Sequence, residues 1–245
     1  MTNTSALEFP AELILGGRPE DVRRAALCDT HDGTLSLWTV DSLRQGAVAA
    51  GLAPGVLDGM EQQRAAAFHR SADRRCYVVA HVALRIVLGA HLGVAPGAVQ
   101  LVREPCPSCG GPHGRPAVEG GEVHFSLSHS GDLVLIGIAG APVGVDVEGI
   151  LRADAVAQVS SAMHPMETAE LAAAPDHAKP MALARAWARK ESYLKGIGAG
   201  LSRSPALDYV GTGPTPGPAP RGWTLGDVAV PEGFAAAYAL RSHGR

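Results

Sequence analysis

Trp187-Ala188-Arg189-Lys190-Glu191-Ser192-Tyr193-Leu194-Lys195-Gly196-Ile197-Gly198-Ala199-Gly200-Leu201 closes a run of good helix formers that begins at Lys179. The Ala, Leu and Met of residues 179–189 predict a helix. Glycines at 196, 198 and 200 predict its stop at Gly196 and a flexible exit. At 100° per residue, Trp187, Lys190, Glu191, Leu194 and Lys195 share one broad stripe. Trp187 and Leu194 can anchor that stripe in a core while one carboxylate and two ammonium groups point along a single cleft. Read alone, the stripe is equally an amphipathic helix with a surface Glu191–Lys195 pair, worth about 0.2–0.5 kcal/mol. The rest of the chain decides between the two.

The 245 residues can bury a substantial core as one large domain or two small ones. Hydrophobic residues at 46% and charged residues at 18% fit an ordinary globular protein. A formal net charge of −3 argues against wholesale nucleic-acid binding, yet leaves room for a local basic pocket. No apolar run reads as long enough to cross a bilayer. Met1 to Pro10 carries Glu8 and lacks the basic-then-apolar order of a signal peptide, so a cytoplasmic protein is expected. Four cysteines are too few for a disulfide scaffold.

Working back from the helix, residues 154–174 read as helical with a break at His164-Pro165. Three strands precede them, Glu122–Ser128, Leu133–Ala139 and Val143–Glu148, joined by short Gly-containing turns as an antiparallel meander. Further back, Val99–Arg103 reads as a strand leading into a Cys-, Gly- and Pro-rich loop. Before it, a long helix is expected from Asp58 to Leu92, bent or broken near Ser71-Ala72-Asp73. Leu35–Val40 alternates as a strand, and Asp41-Ser42 caps a short helix to Gly51, before Pro54-Gly55. Residues 1–34 read as irregular lead-in. After the helix, Leu207–Val210 and Phe234–Leu240 look strand-like around a Pro-rich loop at 211–220. Each half thus has a long helix with an apolar face followed by strands, the outline of a duplication divided as 1–142 and 143–245.

Several clusters could carry chemistry. Ser126-Leu127-Ser128-His129-Ser130-Gly131 ends a strand in hydroxyls, an imidazole and a glycine, which suits a phosphate but also an ordinary polar hairpin. In Gly144-Val145-Asp146-Val147-Glu148 the alternation puts both carboxylates on one face. They repel unless a cation lies between, and Mg²⁺ is the natural occupant; a solvated strand face is the alternative. Glu191 could supply a third oxygen, and Lys195, one turn on, could neutralise a bridged phosphate. Arg115 in Gly114-Arg115-Pro116, with Arg74, Arg75 and Arg85, offers guanidinium groups suited to phosphate. Cys106-Pro107-Ser108-Cys109 with His113 has the spacing of half a zinc site, or of a surface hairpin.

Taken in order, Gly114-Arg115-Pro116 with Phe125-Ser126-Leu127-Ser128-His129-Ser130, then Gly144–Glu148, then Trp187–Lys195 resemble the 4′-phosphopantetheinyl transferases of the larger, surfactin-synthetase-activating type. The resemblance runs from about Arg64 to Leu201. It implies an α/β (α+β) pseudo-dimer of two similar halves, each a long helix on a small, mostly antiparallel sheet, with coenzyme A and Mg²⁺ bound between them. It implies transfer of the phosphopantetheine arm of coenzyme A to a serine of an apo acyl or peptidyl carrier protein, releasing 3′,5′-ADP. By motif position Asp146, Glu148 and Glu191 would hold Mg²⁺, and Glu191 would be the candidate base, directly or through a water. Lys195 and His129 would contact phosphates, and Ser128 would support the 3′-phosphate. Arg115 stands where the family often has Lys. Arg85 matches an arginine of the family's long N-terminal helix, and Lys190 joins the cofactor-binding set without an assigned contact. The carrier served, fatty-acid, polyketide or nonribosomal peptide, stays open, and the duplication makes a monomer sufficient. Two other readings compete: a non-catalytic coenzyme A or nucleotide-binding module on the same fold, and an interaction domain organised by zinc at Cys106 and Cys109.

Overall fold

The computed structural model describes residues 8–17, 22, 35–107, 109–112, 114–121, 123–151 and 153–242, without the side chains of 153–155, 157 and 201. Most of the lead-in, Cys28 and His113 therefore lie outside the described residues. The chain is mixed α/β. Its described strands are β1 (Ala11–Glu12), β2 (Leu35–Asp41), β3 (Leu101–Arg103), β4 (Pro116–Val118), β5 (His124–Ser130), β6 (Leu133–Ala139), β7 (Val143–Gly149), β8 (Trp223–Val228) and β9 (Phe234–Arg241). The helices are α1 (Ser42–Val56), α2 (Gly59–Ala66), α3 (Ser71–Leu92), α4 (Ala153–Ser160), α5 (Pro165–Ala173) and α6 (Lys179–Ile197).

Two sheets stack between two long helices. In one sheet the order is β1-β2-β6-β5, with β2 and β5 both antiparallel to β6. Alternation splits its side chains. Trp38, Val40, Phe125, Val134, Ile136 and Ile138 pack with α3 residues such as Val79, Ala83 and Val87. Leu37, Leu133 and Leu135 face the other way, onto Val145, Val147 and Ala236 of the second sheet. That sheet has the order β7-β9-β8 and is backed by α6, whose Tyr193 packs with Trp223, Leu225 and Ala239. Helix α3 is long and apolar enough, by length and composition, to cross a bilayer. This corrects the expectation that no run qualifies, but its apolar residues are occupied by the protein's own core.

The expected meander breaks after β6. Both edges of β6 are already paired, with β2 and with β5, so β7 has no place beside it and pairs with β9 instead. As the edge strand of its sheet, β7 turns alternate N–H groups outward with no strand to receive them. Three serines of β5 take them. Val145 N donates to Ser126 Oγ at 3.0 Å, Val147 N to Ser128 Oγ at 3.4 Å and Gly149 N to Ser130 Oγ at 2.9 Å. The hydroxyls replace a backbone ladder and stitch the two sheets together.

Other boundaries moved for local reasons. Helix α1 runs past Gly51 to Val56, with Pro54 inside its last turn at the cost of one i→i−4 hydrogen bond. The 58–92 helix is two helices: α2 starts at the capping box of Asp58 and Glu61 and ends at Ala66, and the extended backbone of Arg70 separates it from α3. Residues 207–210 are no strand: a 3₁₀ turn covers Pro205–Leu207, and side chains take the neighbouring backbone groups. Strand β8 escaped the sequence reading. Helix α6 continues through Gly196 to a left-handed cap at Gly198, φ 79°.

Gly196 stays helical because it is a contact point and not a stop. A Cβ there would lie 2.6 Å from Trp223 Cζ3, and one on Gly144 would collide with Ser192 O and Gly196 N. Helix α6 can approach β7 this closely only with both side chains absent. Gly144→Ala is therefore expected to destabilise the protein by about 1–3 kcal/mol in urea unfolding. Gly140→Ala, where a Cβ meets nothing within 4 Å, serves as the neutral comparison.

Candidate active site

The close approach of α6 to β7 brings the stripe of α6 onto the carboxylates of β7. Asp146 is 3% exposed. Its Oδ1 accepts from Ser128 Oγ at 2.8 Å and from Lys195 Nζ at 2.6 Å, and Lys195 also donates to Ser128 Oγ at 2.9 Å. Its Oδ2 is buried with no partner. Burial pushes the Asp146 carboxyl up, against the pull of Lys195 and Ser128. Glu148 is half-buried and raised to about 7, first by burial and then by the charge of Asp146. Glu191 is raised by the same two causes in the same order. Three carboxylates thus sit within electrostatic reach of one another, with a single ammonium among them. Among the described residues no group of three or more His, Cys, Asp or Glu side chains is arranged to hold a metal ion. Lys195 stands on Asp146 in that place.

Beside this cluster lies a cavity of about 410 Å³, lined by His81, Arg103, Arg115, Phe125, Leu127 and Lys195, among others. Its walls are cationic where they are charged. Arg115 reaches both oxygens of Glu104, at 2.7 and 3.0 Å, and donates to Gly196 O at 2.9 Å. It thereby ties the end of α6 to the N-terminal half. His129 alternates to the α3 side of β5 and is exposed; surrounding protein, then Lys195, pushes its imidazole pKa down. On the other side of Glu148 an apolar cavity of about 420 Å³ is lined by Leu151, Val159, Leu183 and Trp187. Trp187 and Leu194 are packed into protein, as the stripe required.

Two residues grouped with the ligand set are spent elsewhere. Arg85 is 1% exposed and every nitrogen is engaged: Nε on Glu61 at 2.7 Å, one terminal nitrogen on Asp58 at 2.6 Å, the other on Val99 O at 2.9 Å. Lys190 is 2% exposed and bonds Glu167 at 2.7 Å, Pro205 O and Asp208 O. Both are corrected from ligand contacts to internal braces, because a buried cation must have its partners inside the protein. His81 was not anticipated. No spacing in the sequence marks it, since its orientation depends on Glu61 of another helix, 3.0 Å away. Cys106 is buried in a tight turn, Gly110 N to Cys106 O, while Cys109 is exposed.

Comparison with known proteins adds an independent line. Residues 142–238 match the family model of the 4′-phosphopantetheinyl transferase superfamily. The chain is 30% identical over 194 residues to the 4′-phosphopantetheinyl transferase HetI of a Nostoc species, covering 77% of this chain and 80% of that protein. It is 33% identical over 89 residues to the 4′-phosphopantetheinyl transferase gsp of Aneurinibacillus migulanus, covering 36% and 37% of the two. It is 35% identical over 79 residues to the 4′-phosphopantetheinyl transferase psf-1 of Bacillus pumilus, covering 32% and 34%.

Arg85→Ala and Lys190→Ala, which strand buried carboxylates, are each expected to cost about 3–5 kcal/mol in urea unfolding. Glu148 adds a pH dependence. Its folded pKa of about 7 exceeds the ordinary 4.5, so the folded chain keeps a proton that the unfolded chain releases. That contribution is fully present below about pH 4.5 and is lost as pH rises through about 7. Glu148→Gln should therefore be more stable than the parent near pH 8, by about 1–3 kcal/mol, with the gap closing near pH 4.

Proposed function

Because the chain belongs to the 4′-phosphopantetheinyl transferases, to which it is 30% identical over four-fifths of one member's length, we propose that it moves the phosphopantetheine arm of coenzyme A onto a carrier-protein serine. The acceptor is an apo acyl or peptidyl carrier of a fatty-acid, polyketide or nonribosomal peptide synthase. The serine Oγ forms a bond to the pantetheine-side phosphorus, the pyrophosphate P–O bond breaks, and 3′,5′-ADP leaves. What carries this reading is the juxtaposition of Asp146, Glu148, Glu191 and Lys195 beside a cavity with cationic walls.

The residues fit each requirement of that reaction. In-line displacement at a pyrophosphate needs charge neutralisation more than covalent catalysis. Lys195, Arg115 and His129 bring positive or hydrogen-bonding groups to the phosphates. The serine proton needs an acceptor, and Glu191, whose carboxyl is raised by burial and by the charge of Asp146, is the candidate base. Ser128 keeps Asp146 and Lys195 in register; its one proton goes to Asp146, so the structure leaves it no donor for the 3′-phosphate expected from the motif. The apolar cavity beyond Glu148 leaves room for the acceptor side.

Mg²⁺ is part of the proposal. The orphaned, buried Oδ2 of Asp146 and two neighbouring carboxylates with raised pKa values have the chemistry of hard-cation ligands. Asp146, Glu148 and Glu191 would hold it, and it would supply charge neutralisation at the pyrophosphate. The same reading takes residues 1–142 and 143–245 as two related halves of a monomeric, cytoplasmic protein. In its favour, a long helix packs on a sheet in each half, α3 on β1-β2-β6-β5 and α6 on β7-β9-β8, although the first half also carries the two-stranded β3-β4.

The experiment is intact-mass analysis of a panel of apo carriers incubated with coenzyme A, Mg²⁺ and the protein. At least one carrier should gain a single phosphopantetheine arm, while Asp146→Asn and Glu191→Gln lower the rate by about 100-fold or more. Coenzyme A binding without modification of any carrier would instead mark a non-catalytic binding module.

A further inference from the structure

His81 lines the cavity together with Arg115 and Lys195. Its side chain is 24% exposed. Its Nδ1 lies 3.0 Å from Glu61 Oε1. The other oxygen of Glu61 accepts from Asp58 N at 3.0 Å and from Arg85 Nε at 2.7 Å. Arg85 is in turn locked onto Asp58 and Val99 O. Tyr77, one turn earlier on α3, stacks on the imidazole with ring centroids 4.1 Å apart.

Every member of this chain but the last is saturated. Burial works to raise the Glu61 carboxyl, yet His81, the Asp58 N–H and Arg85 together hold it below its ordinary value. An ionised Glu61 must receive a proton from its neighbour, which assigns that proton to His81 Nδ1. The second ring nitrogen, Nε2, has no protein partner among the described residues. An imidazole fixed at one nitrogen by a braced carboxylate, with its other nitrogen unclaimed at a cationic cavity, is arranged as a ligand contact.

We propose that His81 is a second imidazole contact, beside His129, for a phosphate group of coenzyme A, with Glu61 and Arg85 as the positioning residues that hold it. This rests on coenzyme A being the ligand of the cavity. It also gives the buried Arg85 a purpose at one remove: the guanidinium never meets the ligand but fixes the carboxylate that aims the histidine. A histidine placed there for packing alone would, on removal, alter stability and leave ligand affinity untouched.

Calorimetric titration decides the matter with coenzyme A and with 3′-dephospho-coenzyme A. His81→Ala should weaken coenzyme A binding about 10-fold or more, the size of a lost hydrogen bond to a charged group, and His81→Gln should restore part of it. If the contact is the 3′-phosphate, dephospho-coenzyme A binds both forms alike; if it is the pyrophosphate, both ligands weaken together. Glu61→Gln should weaken binding in the parent and add nothing in the His81→Ala background. Unchanged coenzyme A affinity in folded His81→Ala overturns the proposal. A parent protein that binds no coenzyme A would overturn the functional assignment itself, a different result.

Discussion

Three hydroxyls hold this molecule together at the place where its chemistry sits. Strand β7 ends one sheet, so its outward N–H groups would be orphaned in a buried seam, each at a cost of about 1–3 kcal/mol. Ser126, Ser128 and Ser130, spaced by two along β5, receive them one by one. The register so fixed puts Asp146 level with Ser128, and the glycine contact of Gly144 with α6 puts Lys195 level with both. Shift β7 by one residue and the carboxylates exchange faces with Val145 and Val147.

Buried charge then divides into two kinds. Arg85, Arg189 and Lys190 are closed systems: carboxylates and carbonyls engage every nitrogen of each cation. They fasten α2 to α3, α6 to β8 and α6 to the 3₁₀ turns, and the Pro-rich loop is held by Arg189 at Gly211 and Gly213. The cluster at Asp146 is open. It has more carboxylates than cations, an oxygen without a donor, and pKa values pushed toward neutrality. Folding alone gains nothing from such an arrangement, which marks the cluster as a candidate functional site.

Much of this was legible in the chain. Period and glycine placement located α6; β5, β6 and β7 were recognisable as short runs joined by Gly-containing turns, β9 looked strand-like, and Asp146 with Glu148 followed from the two-residue repeat. The order of three weak motifs carried the family. What misled were residues whose type is ambiguous without depth. Arg85 and Lys190 look like phosphate ligands because a cation on a helix facing a cleft and one facing a buried carboxylate have the same spelling. Gly196 looks like a stop because sequence shows its missing side chain and not the Trp223 ring that requires it. Strand β8 and the 3₁₀ turn at Pro205 depend on partners far away in the chain.

Local periodicity and motif order carry most of the elements, the pairing of two carboxylates on one strand face and the family. Long-range packing is what takes β7 out of the first sheet, sets serines instead of a strand against its edge, and stands Lys195 on Asp146. It alone also separated Arg85, which braces, from His81, which faces the cavity. The physical reason is the same in each case: whether a polar group is a structural brace or a functional contact depends on how many of its hydrogen-bonding positions the fold has already filled. That count exists only when distant segments meet.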